Sequence, residues 1–339
     1  MVLLPHSRST AVVFINPLLS PDILGNMLKF ARLIRFAVAT AMVPLFAVQQ
    51  SFAWGADGHR MINRLAAANL PKDVPAFLRN GSALDMMDYM GPEPDRWRNK
   101  AVPELGDEQA PEHFMDMEYI DLIGAPLPKK RYDFLRALAK AQAAHKDMQL
   151  QPEVVGLLPY ITEEVWQRLR NSMHEYRKLL AASEDTKPVE QAILFYASWL
   201  GHYVADGSQP LHTSTQYNGW TGPNPNGYTT EHKIHSRFES VYVTANIKSG
   251  DVAPIVAAAQ PKVLNDEWTD FLDYLHDTST QVEKVYQIEK AGGFTDAGTP
   301  EAKAFTEQRL AAGAIELRDM IYTAWIRSGD PVEEYHGPK

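Results

Sequence analysis

The 339-residue sequence contains no cysteine. That excludes disulfide staples, and it excludes any zinc site built on thiolates. A metal held by this chain must rest on imidazole and carboxylate, which 11 histidines and 42 acidic residues can supply. Strand-like alternation is scarce, so a sheet is not expected. Internal repeats and low-complexity linkers are missing as well, so the chain reads as one domain. Long apolar runs are almost absent. The exception, residues 36–48, is only 13 residues long, and a helix needs about 20 to span a bilayer.

The position of that run gives its meaning. Met27 is followed by Lys29, Arg32 and Arg35, then by the apolar run, then by Ser51-Phe52-Ala53. A basic start, a short apolar stretch and a small-x-small cut site describe a secretory signal peptide. Residues 1–53 are therefore excluded from the fold as a leader, with the signal in 27–53 and Met27 rivalling Met1 as the start. The chain is expected to be exported, periplasmic or secreted, to begin at Trp54 and to keep no membrane anchor. Basic charge is also in deficit. The leader takes four of the 33 basic residues and one of the 42 acidic ones, which leaves 29 against 41 and a net charge of −12. Such a surface suits an anionic substrate only if cations are bound locally.

What is present is helical. The sequence predicts an all-α class, with residues 54–339 forming a single catalytic domain. A helix opens after Trp54 with Asp57 or Gly58 near its cap. Two short helices fall in 72–90, and a Pro-rich turn over 91–98 presents Asp95. Amphipathic helices occupy 130–147 and 160–183, the second built on residues such as Trp166, Leu169, Met173 and Leu180. A helix from Lys187 carries His202 and stops at Gln209-Pro210. Another carries His235 and Glu239, and two more fill 265–290 and 299–328. His145 and His174 fall on the amphipathic helices and read as ordinary.

The densest chemistry lies in 198–239. His202 and Asp206 are four apart, one helical turn above each other. Their neighbours Trp199, Leu200, Tyr203 and Val204 are mostly core-like, and aspartate is rarely buried without a partner. His212 follows, and His235 with Glu239 repeats the four-residue spacing. Five such ligands in 38 residues point to a metal site. A single His-x-x-x-Asp would not, because such pairs are common surface contacts. Asp95 and His113 extend the set.

Together these residues resemble the S1/P1 nuclease family. The resemblance rests on Trp54-Gly at the expected N-terminus, His59 five residues on, Asp95 with Arg98, and His113-Phe114-x-Asp116. It continues with His202-x-x-x-Asp206-x-x-Gln-Pro-Leu-His212 and His235-x-x-x-Glu239, in order along the chain. The family is similar in fold to zinc-dependent phospholipase C, an all-α domain with a trinuclear zinc cleft. The resemblance implies three Zn2+. One takes Asp95, His113, His202 and Asp206. A second takes the Trp54 amine and carbonyl, His59 and a bridging Asp206. The third takes His212, His235 and Glu239. It also implies that Asp95 handles the attacking water and that Arg98 stabilises phosphoryl charge. Phe114 would stack on a base and Asp116 accept from its edge. The implied activity is hydrolysis of phosphodiester bonds in single-stranded RNA and DNA, with 3′-nucleotidase activity as a possible addition, by a monomer. Two departures stand out. Glu239 occupies a place where the nucleases usually carry Asp and the phospholipases Glu, so phospholipid head groups are the alternative substrate. The cysteines that fungal members use in disulfides are absent.

Overall fold

The structure is a computed structural model that describes residues 54–332 and Gly337. The expected leader and the cut after Ala53 lie outside the described residues. Among the described residues there is no strand, only two isolated bridges, Met115 with Gly156 and Tyr217 with Gly219. No helix there is long and apolar enough to cross a membrane.

Local chemistry sets many of the helix starts. Asn80, Asp266 and Thr299 each accept a backbone N–H through the side chain, from Ala83, Thr269 and Ala302, which satisfies a donor the helix leaves orphaned. Pro188 and Pro300 stand in first turns, where their missing N–H costs nothing. The Lys187–Ser208 helix is the hub and packs against the helices Gly55–Ala68, Gly81–Met90, Leu158–Ala181 and Pro300–Arg327. Its second half is buried on nearly every side, from Ala197 to Ser208 with Trp199 the exception. Gly201 permits the closest of these approaches. A Cβ there would lie 2.0 Å from Asn63 Oδ1. Asn63 sits at that crossing and donates to Met87 O at 3.1 Å and Ser198 O at 2.9 Å, tying three helices together.

Several expectations need correction. The first helix starts at Gly55, with Trp54 at its cap in a left-handed conformation (φ 46°), rather than at Asp57 or Gly58. The stretch expected as a turn contains a short helix, Glu93–Trp97, because Pro94 falls in its first turn where proline is tolerated. The expected 265–290 helix is two, Glu267–Ser279 and Val282–Lys290. Thr278, Ser279 and Thr280 each turn a hydroxyl onto a carbonyl three or four residues back, and that competition favours ending a helix. The segment carrying His235 and Glu239 is not a regular α-helix: Ile234–Ser236 passes into a π-turn, Arg237–Tyr242, and then into Val243–Asn246. Leu180 is exposed rather than core. Helices at Pro103–Gln109 and Ser249–Ala258, the latter with Pro254 inside it, were not expected.

Candidate metal centre

Four segments deliver the polar side chains to one place. The Gly55–Ala68 helix brings His59, the Glu93–Trp97 helix Asp95, the turn at Ala110–His113 His113, and the hub helix His202 and Asp206. All five are buried. Asp206 sits between two histidine sets. Its Oδ2 is 3.1 Å from His113 Nδ1 and 3.5 Å from His202 Nε2, while its Oδ1 is 3.4 Å from His59 Nε2. Asp95 lies across from it, with Oδ1 3.8 Å from His113 Nδ1 and 3.9 Å from His202 Nε2. The rings of His59 and His202 stack at 4.0 Å. Side chains of Asp95, His113 and His202 converge in one group, and those of His59, His202 and Asp206 in a second. His202 therefore reaches both groups, where it was expected in one.

A third group stands apart. His212 closes a short turn after the hub helix, and His235 and Glu239 come from the 234–246 segment. His235 Nε2 is 2.8 Å from Glu239 Oε2 and 3.1 Å from His212 Nε2. The π-turn keeps Glu239 beside His235 despite the altered helical period.

The outer nitrogens of these rings decide what the inner ones can do. His202 Nδ1 is 2.9 Å from Gly91 O, His212 Nδ1 2.5 Å from His113 O, and His235 Nδ1 2.9 Å from Tyr217 O. A carbonyl only accepts, so each Nδ1 carries the proton. His113 is oriented the other way. Gln109 donates its amide NH2 to Pro94 O at 2.9 Å, which leaves its Oε1 to accept from His113 Nε2 at 3.0 Å. The neutral rings consequently aim lone pairs inward. His202 Nε2 faces His113 Nδ1 at 3.0 Å with no hydrogen available between them. Both Oδ atoms of Asp95 and Oδ1 of Asp206 find no hydrogen-bond partner. Opposed lone pairs and orphaned carboxylate oxygens in a buried spot are costly. A divalent cation removes that cost, so the donor set fits one, and imidazole with carboxylate suits zinc.

Electrostatics agrees. Burial pushes the Asp95 and Asp206 carboxyls well above the usual range, with the Asp95 charge adding to the push on Asp206. Burial lowers the His113 and His202 imidazoles well below theirs. Two carboxylates here need positive charge that neutral histidines do not give. In the third group burial opposes ionisation, but His235 and His212 hold Glu239 down to about 2, and Glu239 raises His235 against the pull of burial.

His113, His212 and His235 border a cleft of about 500 Å³ whose wall also includes Arg98, Phe114, Asp116, Tyr119 and Tyr217. Phe114 is half-buried, so its ring is not sealed in the core. Arg98 NH1 approaches Asp95 Oδ1 at 3.7 Å. Burial, with Glu118 adding, raises the Asp116 carboxyl to about 8. Trp54 is buried with its Nε1 donating to Ser208 Oγ at 2.7 Å, and its ring meets Phe238 at 5.2 Å. Those contacts fix its backbone one turn ahead of His59. His174 Nδ1 meets Ser328 O at 2.9 Å and belongs to none of the three groups.

The sequence reading missed the residues that hold the ligands. Gln109 orients His113. Gln209, read only as a helix stop, donates to Glu239 Oε2 at 3.1 Å. The available signal was the four-residue spacing of Gln109 and His113, matched by Gln209 standing between Asp206 and His212.

The sequence model of the S1/P1 nuclease family matches residues 54–325. No curated protein matches the chain. Among solved structures, the alpha-toxin of Clostridium perfringens from an avian strain is similar at 14% identity and a TM-score of 0.39. That alignment covers 82% of this chain and 66% of the toxin, so the chain spans just under two thirds of the toxin's length.

Proposed function

Because the chain belongs to the S1/P1 nuclease family, hydrolases that act on phosphodiester bonds, we propose that it is an exported, monomeric, zinc-dependent nuclease that cuts single-stranded RNA and DNA. The observation that carries the reading is the pair of inward lone pairs on His113 and His202 beside the orphaned oxygens of Asp95 and Asp206. In this reading Asp95, His113, His202 and Asp206 hold one zinc. The Trp54 amine and carbonyl, His59 and Asp206 hold a second. His212, His235 and Glu239 hold a third. Zinc there supplies a Lewis acid and lowers the pKa of water from about 15.7 to near 7.

The remaining work falls to the chain's own groups. Asp95, whose oxygens face the cluster with the Arg98 guanidinium 3.7 Å away, orients the attacking water and takes its proton. Arg98, on the cleft wall, meets the charge that grows on the phosphoryl oxygens. Phe114 offers a π-face to an unpaired base, a contact worth about 1–3 kcal/mol. Asp116 meets the base edge. With a carboxyl raised to about 8 it is protonated at neutral pH and can donate as well as accept. Removal of 3′-phosphates from nucleotides would use the same groups.

Glu239 favours a second reading, cleavage of phospholipid head groups. The test offers single-stranded DNA, RNA and phosphatidylcholine to the purified protein, with and without chelator. The expected result is chelator-sensitive cleavage of both nucleic acids and intact lipid. Release of phosphocholine with nucleic acids untouched would reject the nuclease reading in favour of the second one.

A further inference from the structure

The hub helix carries more than ligands. Phe195, Tyr196 and Trp199 precede His202 on it, all half-buried. Their rings form a ladder, with Phe195 5.8 Å and Tyr196 6.5 Å from Trp199, the latter pair within 25° of parallel. Trp97, the neighbour of Arg98 in the chain, meets Trp199 at 5.6 Å. Inward the ladder passes to Tyr203, 6.4 Å from Trp199 and 5.7 Å from His113. It therefore runs from the protein surface to a proposed metal ligand. Arg168 lies over the Trp199 ring at 5.9 Å. The acidic neighbours are already engaged: Glu93 accepts from Trp97 Nε1 at 3.2 Å and pairs with Arg96, and Glu164 is 3.9 Å from Arg168. Four partly exposed rings in a row are more than scattered surface apolar groups.

We propose that Trp97, Trp199, Tyr196 and Phe195 form a distal subsite on which unpaired bases of the substrate strand stack as it leaves the cleft. The proposal rests on the nuclease reading and extends it to the length of strand engaged. Two observations select a nucleic-acid strand as occupant: Trp97 is the chain neighbour of Arg98 on the cleft wall, and a guanidinium lies over the largest ring at 5.9 Å. Tyr196 and His202 are about 9 Å apart along the helix, at 1.5 Å per residue. That spans two to three stacked nucleotides at ~3.4 Å each. Stacking on aromatic rings is tolerant of sequence because every base has a π-face. A duplex, whose bases are paired, gains nothing from it.

The test compares KM for a thymidine dinucleotide and an octanucleotide. The parent is expected to bind the octanucleotide about tenfold better, the ratio that one stacked base can supply. Tyr196→Leu with Trp199→Leu is expected to raise the octanucleotide KM to near that of the dinucleotide, with kcat held within about twofold. Metal content and thermal midpoint establish that this double variant is folded. Arg168→Glu, an exposed change that leaves the rings in place, is expected to raise the octanucleotide KM alone. Unchanged octanucleotide KM in both variants overturns the subsite. So does loss of binding to phosphatidylcholine vesicles in the double variant with oligonucleotide kinetics intact, which would make the ladder a lipid contact. A parent that cleaves both oligonucleotides with equal KM also removes the subsite and leaves the nuclease reading standing. A parent that cleaves neither removes the nuclease reading itself.

Discussion

Asp206 faces three histidines from the centre of the site, with contacts of 3.1 to 3.5 Å. Asp206→Asn keeps the shape and removes the charge. It is expected to abolish turnover and to lower metal content by more than one ion, because in the proposed reading that carboxylate serves two zincs. Metal analysis beside a single-strand cleavage assay checks both, and parent-like activity would refute the bridge. Gln109 never touches substrate in this reading. It holds His113 in the tautomer that points a lone pair inward. Gln109→Leu is expected to weaken metal binding by about 10–100-fold, the usual cost of losing a ligand's outer partner. Competition with a chelator of known affinity measures this, and unchanged affinity would leave Gln109 a packing residue. For Trp54 the test is chemical. One residue left ahead of it would bury the amine in a peptide bond, so that chain is expected to lose most activity and about one zinc.

At the level of elements, the Pro300–Arg327 helix packs its length against the hub and carries a buried Glu316. Burial pushes that carboxyl up to about 8, and its Oε1 has no hydrogen-bond partner. The unfolded value is near 4.3. Between those pH values the folded state binds more protons than the unfolded state, so stability falls as pH rises through this window. Glu316→Gln removes the charge that must be buried at high pH. It is expected to raise the thermal midpoint at pH 8, by several degrees, and to change it little at pH 4. Melts of both proteins at the two pH values decide it, and equal shifts at both would refute the burial argument. The helix breaks belong at this level too. Periodicity found the apolar faces of these elements. It did not register three hydroxyl side chains in a row at Thr278–Thr280, nor that proline in a first turn starts the Glu93–Trp97 helix.

For the molecule as a whole, the proposed metal centre would tie the core to its cation supply. A ligand that binds only the folded state stabilises it by about 2.7 kcal/mol at 100 times its Kd. In a domain of this size each kcal/mol moves the midpoint by roughly 2–4 °C. Exhaustive treatment with a chelator is thus expected to lower the thermal midpoint by several degrees, and added zinc to restore it. A midpoint that ignores both treatments would mean that the clusters are satisfied without metal.

Much of this was legible in the chain. Composition and period determined an all-α domain, because apolar residues at helical spacing need no partner to be recognised and no alternating run competed with them. Spacing of four marked His202 with Asp206 and His235 with Glu239 as shared faces, since one helical turn brings such residues together whatever surrounds them. Only the tertiary structure decided that His202 reaches both candidate metal groups and that Gln109 and Gln209 orient the candidate ligands. Apart from Gln109 and His113, these relations join residues from 30 positions apart (Gln209 and Glu239) to 143 apart (His59 and His202). Local period carries no information at that separation. They are set by how closely helices approach, and that is governed by contacts such as Gly201 against Asn63, where the absence of one side chain lets the hub helix meet the helix that carries His59.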